Sequence, residues 1–286
     1  MDDPRGRQAR FNAESRGQWD GFSAHRRKVS SLLAAGPIPG RRRLCVLGAG
    51  NANDLDLPAL LATFGEVHLV DLDAEALALG AGRQGVSGNP GLHLHGGIDL
   101  TGMLDAMAGW SPLAAIPDAE LVALVEWPAR RVAMALPAPF DRVASTCLLS
   151  QIAGNAFTAI GDRHPRFAEV VRAIRLGHLR LLTRLAAPVG EVVLISDVVS
   201  SDHRPVLAEV EESALPALLA RLSREGGLIH GVNPADLRAD FRNDPILARS
   251  VSGLVEHPPW RWRLYDRTYL VHALSCRVNA GTFGDR

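Results

Sequence analysis

Two glycines and two acids carry the first chemical signal in the sequence. Gly48-Ala49-Gly50 follows the apolar run Leu44-Cys45-Val46-Leu47 and precedes a helical stretch from about Asp54 to Phe64. Lacking a Cβ at either glycine, such a turn lets the backbone approach a ligand that a side chain would obstruct. Asp71 lies 23 residues after Gly48, at the end of a second run, Glu66-Val67-His68-Leu69-Val70, where a carboxylate can accept both hydroxyls of a ribose. Asp73 competes for that role, and Asp71 is preferred because it directly ends the run. Asp99 closes a third, weaker run, Leu92-His93-Leu94-His95, through Gly96-Gly97-Ile98. Glycine, acid and acid thus fall at successive strand ends on one edge of a sheet, where open α/β sheets bind ligands.

A dinucleotide would want a third glycine where Asn53 stands. Asp54 follows it, and an acid at a helix start repels a pyrophosphate docked on the same N-terminus. A ligand with an ammonium group fits better, and S-adenosylmethionine joins adenine and ribose to a cationic amino-acid tail. Over roughly residues 44–278 the sequence resembles the class I (Rossmann-like) S-adenosylmethionine-dependent methyltransferases. Val46-Leu47-Gly48-Ala49-Gly50 resembles their first motif. Val67-His68-Leu69-Val70-Asp71-Leu72-Asp73 is similar to the second, with Asp71 matching the ribose-binding acid. Gly97-Ile98-Asp99-Leu100 is similar to the strand-three motif, whose acid contacts the adenine amino group. Phe140-Asp141-Arg142-Val143-Ala144-Ser145 resembles strand four, after which the family places cofactor and substrate contacts, here near Thr146 and Cys147. The resemblance therefore implies S-adenosyl-L-methionine as cofactor, held by Gly48, Ala49, Gly50, Asp54, Asp71, Leu72, Ile98, Asp99 and Thr146. Two positions depart from the pattern: Val46 replaces an acid common before the first glycine, and Ala52 replaces the usual third glycine.

A sulfonium is already an activated methyl donor, so the protein's tasks are alignment and exclusion of water. A hydroxyl or protonated amine acceptor also needs a general base. Candidates are Asp197 and His203, which follow the fifth strand, and His230, in the loop before Asn233. Each could instead be a solvated or capping loop residue. Trp260, Trp262 and Tyr265 form the one dense aromatic cluster, either a stacking surface for the acceptor or one buried face of a hairpin. His93 and His95 share a strand face and read as structural. No His and carboxylate cluster has metal-ligand spacing, so no metal is expected. Cys45, Cys147 and Cys276 are far apart and read as buried apolar residues. Two other functions remain open: a nicotinamide-dependent oxidoreductase on the same sheet, and a catalytically silent methyltransferase-like subunit.

The elements that must position these residues are short apolar runs alternating with helical stretches. That pattern predicts an α/β fold, a Rossmann-like, mostly parallel seven-stranded sheet with helices on both faces. Strands are expected at 44–47, 66–71, 92–95, 142–146 and 191–196. Helices are expected at 74–79, 118–125, 167–185 and 208–222, with another opened by Asn233 and Pro234, and residues 103–139 read as a crossover with an insertion. Residues 260–264 and 268–278 flank Tyr265-Asp266-Arg267 and read as a C-terminal antiparallel hairpin, the family's reversed seventh strand. Residues 1–43 form a separate basic segment with a helix over 23–35 and a breaker, Gly36-Pro37-Ile38-Pro39-Gly40. By resemblance this segment is a lid over the cofactor; otherwise it is a solvated arm.

The 286 residues carry 31 basic and 31 acidic side chains. Within that zero the first 43 residues hold ten basic against four acidic, and the remainder is acidic by the same margin. No nucleic-acid partner follows from a balance of this kind, and a small-molecule acceptor is expected. No apolar run reaches the roughly 20 residues that span a bilayer, and no apolar stretch near the N-terminus suggests a signal peptide. The cytoplasm is the expected compartment.

Overall fold

The structure, a computed structural model, describes residues 4–36 and 42–281. In chain order the main elements are α1 (Pro4–Ser15), α2 (Ser23–Ala34), β1 (Arg43–Leu47), α3 (Leu57–Thr63), β2 (Glu66–Val70), α4 (Ala74–Arg83), β3 (Leu92–His95), α5 (Leu104–Met107) and α6 (Asp118–Trp127). They continue with β4 (Phe140–Thr146), α7 (Leu148–Ile160), α8 (Phe167–Leu185), β5 (Ala186–Ser200), α9 (Leu215–Glu225), α10 (Pro234–Asn243), α11 (Pro245–Ser250), β6 (Val251–Leu264) and β7 (Arg267–Val278). The strands form one seven-stranded sheet in the order β3-β2-β1-β4-β5-β7-β6. β1 to β5 run parallel, and β7 runs antiparallel to both β5 and β6.

Alternation along the central strands fills two cores. Cys45, Leu47, Val143, Val192 and Leu194 point to one face, beneath α6, α7 and α8. Leu44, Val46, Ala144, Val193 and Ile195 point to the other, beneath α2 and α3. A sheet covered on both faces reads as continuous apolar runs, which is why these strands stand out in the sequence.

Local chemistry sets the helix starts. Asp56, Asp73 and Asn233 each accept a backbone N–H at the opening of α3, α4 and α10, and Pro234 occupies the first turn of α10. The expected breaker extends beyond the described residues from Pro37 to Gly40.

Several boundaries differ from expectation. The polar leader contains a helix, α1, whose arginines hide its pattern. β5 continues past Asp197 to Ser200, and β6 starts at Val251 rather than Trp260, with its register against β7 shifting at 252–255 and again at 257–260, where Pro258 and Pro259 interrupt the pairing. α7 is a helix that the expected elements do not include. Its Leu148, Leu149, Ile152, Ala153, Ala156, Ala159 and Ile160 are buried at helical spacing, a signal obscured by Gly154 and Asn155.

α6 and α8 cross in close backbone contact at Gly177. A Cβ there would lie 2.0 Å from the Leu124 carbonyl oxygen and 3.2 Å from Pro128 Cγ. Helix propensity alone favours alanine by about 1 kcal/mol, whereas overpacking costs about 1–3 kcal/mol. Gly177→Ala is expected to lower the urea midpoint, and a raised midpoint would mean that α6 moves away at no cost.

Candidate active site

A cleft of about 420 Å³ opens at the carboxyl ends of β1, β4 and β5. Its floor is the turn after β1, where Gly48 and Gly50 take φ of +76° and +46°. A Cβ on Gly48 would lie 2.7 Å from Leu148 Cβ on α7, and one on Gly50 would lie 2.7 Å from Asn12 Oδ1 on α1. Glycine is therefore required at both, by conformation and by the close approach of two helices.

Asp71 sits at the end of β2 as expected, but it is buried. Its Oδ2 accepts the Gly50 N–H at 2.8 Å and its Oδ1 accepts the Asp73 N–H at 2.9 Å. Asp99 caps the turn before α5, accepting from the Thr101 N–H and hydroxyl through Oδ1 and from the Leu104 N–H through Oδ2. Asp71, Leu72, Ile98 and Asp99 line a second, narrow pocket of about 30 Å³. It adjoins the cleft through Asn155, which lines both.

Two further acids face the cleft. Burial pushes the Asp54 carboxyl up to about 6 against the opposing influence of the Thr146 hydroxyl and Arg26. That hydroxyl is buried beside it without a well-formed hydrogen bond. Asp197, in β5, is pushed up to about 6 by burial, although it accepts a hydrogen bond from the Ser150 hydroxyl. The Cys147 thiol lies against the same carboxylate and is held well above its usual range by burial and by Asp197 and Asp54. Cys147 also takes a left-handed φ of +49° at the head of α7. Asp54 is buried and Asp197 partly buried, and two acids with raised pKa values lining one cleft make it the candidate site for chemistry.

The opposite wall is aromatic. His25 of α2 stacks on Trp262 at 4.5 Å between ring centroids, Phe22 lies 4.7 Å from the same indole, and Tyr269 lies 5.1 Å away. The Trp260 indole N–H donates to His25 Nδ1 at 3.1 Å, which leaves the imidazole hydrogen on Nε2. Burial lowers the His25 pKa to about 3, so the ring stays neutral. Trp260 and Trp262 are thus both a buried hairpin face and, through Trp262, cleft wall. Tyr265 belongs elsewhere: it sits at the hairpin tip and donates to the Glu14 carbonyl at 2.5 Å.

Of the three proposed bases, only Asp197 lines the cleft. His203 is exposed beyond β5, where its Nδ1 lies 3.2 Å from the Ser200 hydroxyl. It is excluded from the cleft because β5 continues three residues past Asp197. His230 stacks on Phe157 at 5.6 Å and meets Phe167 edge-on, an exposed position at the rim. Arg7, Phe11, Asn12 and Ser15 of α1, and Ser150, Gln151 and Asn155 of α7, line the cleft without having been expected there. α1 is pinned to the glycine turn. Asn51 Nδ2 donates to the Asn12 carbonyl, Asn53 Nδ2 donates to the Ser15 carbonyl, and Asn12 Nδ2 donates to Asp73 Oδ2.

No protein-family model and no curated protein matches the sequence. Among solved structures, the chain is similar to the YcgJ protein of Bacillus subtilis, at 13% identity and a TM-score of 0.43, over 90% of this chain and 98% of that one. It is also similar to magnesium protoporphyrin IX methyltransferase of Synechocystis with bound S-adenosylhomocysteine, at 14% identity and 0.43, over 91% and 83%. A third is the N-methyltransferase NodS of Bradyrhizobium japonicum with S-adenosylhomocysteine, at 10% and 0.38, over 97% and 89%. Five parallel strands ordered 3-2-1-4-5, closed by a β7 reversed between β5 and β6, give this chain the class I, Rossmann-like methyltransferase fold.

Proposed function

We propose that the protein transfers a methyl group from S-adenosylmethionine to an oxygen or nitrogen of a small-molecule acceptor. The observation that carries this reading is the cleft itself, bounded by a glycine turn at β1 and a partly buried carboxylate on β5, at the sheet edge where this fold places ligands. The donor set suits the cofactor. Asp71 and Asp99 keep lone pairs beyond the backbone bonds they accept, and Asp54 can meet an ammonium group. When bound, the cofactor supplies an electrophilic methyl. Asp197 then takes the proton that an acceptor hydroxyl or ammonium must lose, and Ser150 orients the carboxylate. Phe22, His25, Trp262 and Tyr269 offer a planar acceptor a flat wall and exclude water. In this reading α1 and α2 act as the cover of the cleft.

Asn12 favours a second reading, a silent binding subunit, because it stands over Gly50 and the ribose end is narrow. Calorimetry with S-adenosylhomocysteine separates the two. The native chain is expected to bind, and Asp71→Ala to bind about 10- to 100-fold more weakly, the range for hydrogen bonds to a charged group. No binding by the native chain would overturn the methyltransferase reading, and binding of a nicotinamide cofactor instead would replace it with the oxidoreductase.

A further inference from the structure

We propose that Glu66, His68 and His93 form a binding site for a divalent cation of the zinc type at the β2–β3 edge of the sheet. Residue spacing conceals this set, because its members come from two strands. Period-two alternation places Glu66 and His68 on one face of β2 and His93 and His95 on one face of β3. Parallel pairing then sets His68 directly beside His93. One ligand atom from each of Glu66, His68 and His93 lies within 4.8 Å of the others. His68 Nε2 stands 3.5 Å from Glu66 Oε2.

Three features point to a ligand rather than to ordinary packing. The His68 side chain is only 3% exposed, yet its Nε2 is buried without a hydrogen-bond partner. An unsatisfied buried polar atom is costly, and a metal bond would satisfy this one. The other ring nitrogen, Nδ1, lies 3.0 Å from His95 Nε2. Donation from Nδ1 to His95 frees the Nε2 lone pair and orients the ring, the outer-shell arrangement usual for a metal-bound histidine. Finally, the His93 and His68 rings stack at 4.4 Å, and the exposed side of His93 leaves a path to solvent.

Arg43 Nε donates to Glu66 Oε2 at 2.9 Å, and its guanidinium lies over the Phe140 ring. That cation opposes a metal electrostatically, but it also fixes the carboxylate, as partners of ligating carboxylates do. Two imidazoles and one carboxylate leave a coordination position open for water, a ligand set of zinc sites. None of these residues lines the cleft, and a bound ion would tie the edge strand β3 to β2.

The test is titration of the untagged full-length chain with Co²⁺, followed by visible absorption, and then displacement by Zn²⁺. One equivalent is expected to produce tetrahedral d–d bands that Zn²⁺ abolishes, together with a Zn²⁺-dependent rise in Tm. His93→Ala, at a partly exposed position, is expected to weaken binding at least tenfold. His257→Ala, at a partly buried histidine in β6, is expected to leave it unchanged. No bands from the native chain, or equal binding by His93→Ala, would overturn the proposal. Neither result bears on the methyltransferase reading, which stands on the cleft.

Discussion

Asp197→Asn is expected to lower kcat by about 10²- to 10⁴-fold, the usual contribution of a positioned general base. S-adenosylhomocysteine binding should change less than turnover, because Asp197 does not line the pocket of Asp71 and Asp99. The substitution keeps the shape and can still accept from Ser150, so proton removal is the property lost. With the carboxyl raised to about 6, kcat/KM of the native protein should rise with pH through that value, where the base becomes ionised. The limb should vanish in the asparagine variant. Stability supplies the control. A carboxyl whose pKa is higher folded than unfolded favours the folded state less as pH climbs above its unfolded value, and the cost is complete above about 6. Asp197→Asn should therefore be no less stable at neutral pH. Equal turnover by native and variant would remove Asp197 from the proposed chemistry.

The largest loss of stability is expected on the other face of the sheet. Arg175 of α8 and Asp240 of α10 are 6% and 4% exposed and joined through Arg175 Nε and Asp240 Oδ2. Arg172 Nε lies 3.5 Å from Asp240 Oδ1, and Asp236 Oδ2 lies 3.5 Å from the Arg175 guanidinium. Asp240→Ala leaves Arg175 charged, buried and without its main partner, at a cost of about 3–5 kcal/mol. Replacing Arg175 and Asp240 together with apolar residues of similar volume should restore most of that loss, because the desolvation cost of the pair disappears with its attraction. Urea unfolding of the single and double variants measures both effects. A loss below 1 kcal/mol in Asp240→Ala would mean that Asp236 takes over the pairing.

The central sheet was legible because its strands are buried on both faces. Leu44–Leu47 and Val192–Ile195 are apolar at every position, so neither period nor context was needed to find them. The ends of β1, β2 and β3 followed, and with them Gly48, Gly50, Asp71 and Asp99. What escaped was set by tertiary contact. α1 has an arginine-rich surface, and its place over the glycine turn depends on asparagine amides whose partners lie 38 to 61 residues away. α7 lines the cleft through Ser150, Gln151 and Asn155, polar residues that resemble loop in a linear reading. His203 looked equivalent to Asp197 in sequence, and only the extension of β5 to Ser200 separates them. Cross-strand register, invisible to spacing, brought Glu66, His68 and His93 together.

The two N-terminal helices are attached with very different strength. α2 buries His25, Val29, Ser30 and Leu33, and at its far end the Arg142 guanidinium clamps the Leu33 and Ala35 carbonyls while pairing with Glu191. α1 buries Asn12 alone among its described side chains and is otherwise held by polar bonds worth about 1 kcal/mol each. Local opening is drawn from the least stable parts of a fold. Hydrogen exchange should accordingly run ahead in α1 of that in α2, and under the proposed function a guest would enter or leave by the loosening of one short helix while the core and aromatic wall stay assembled.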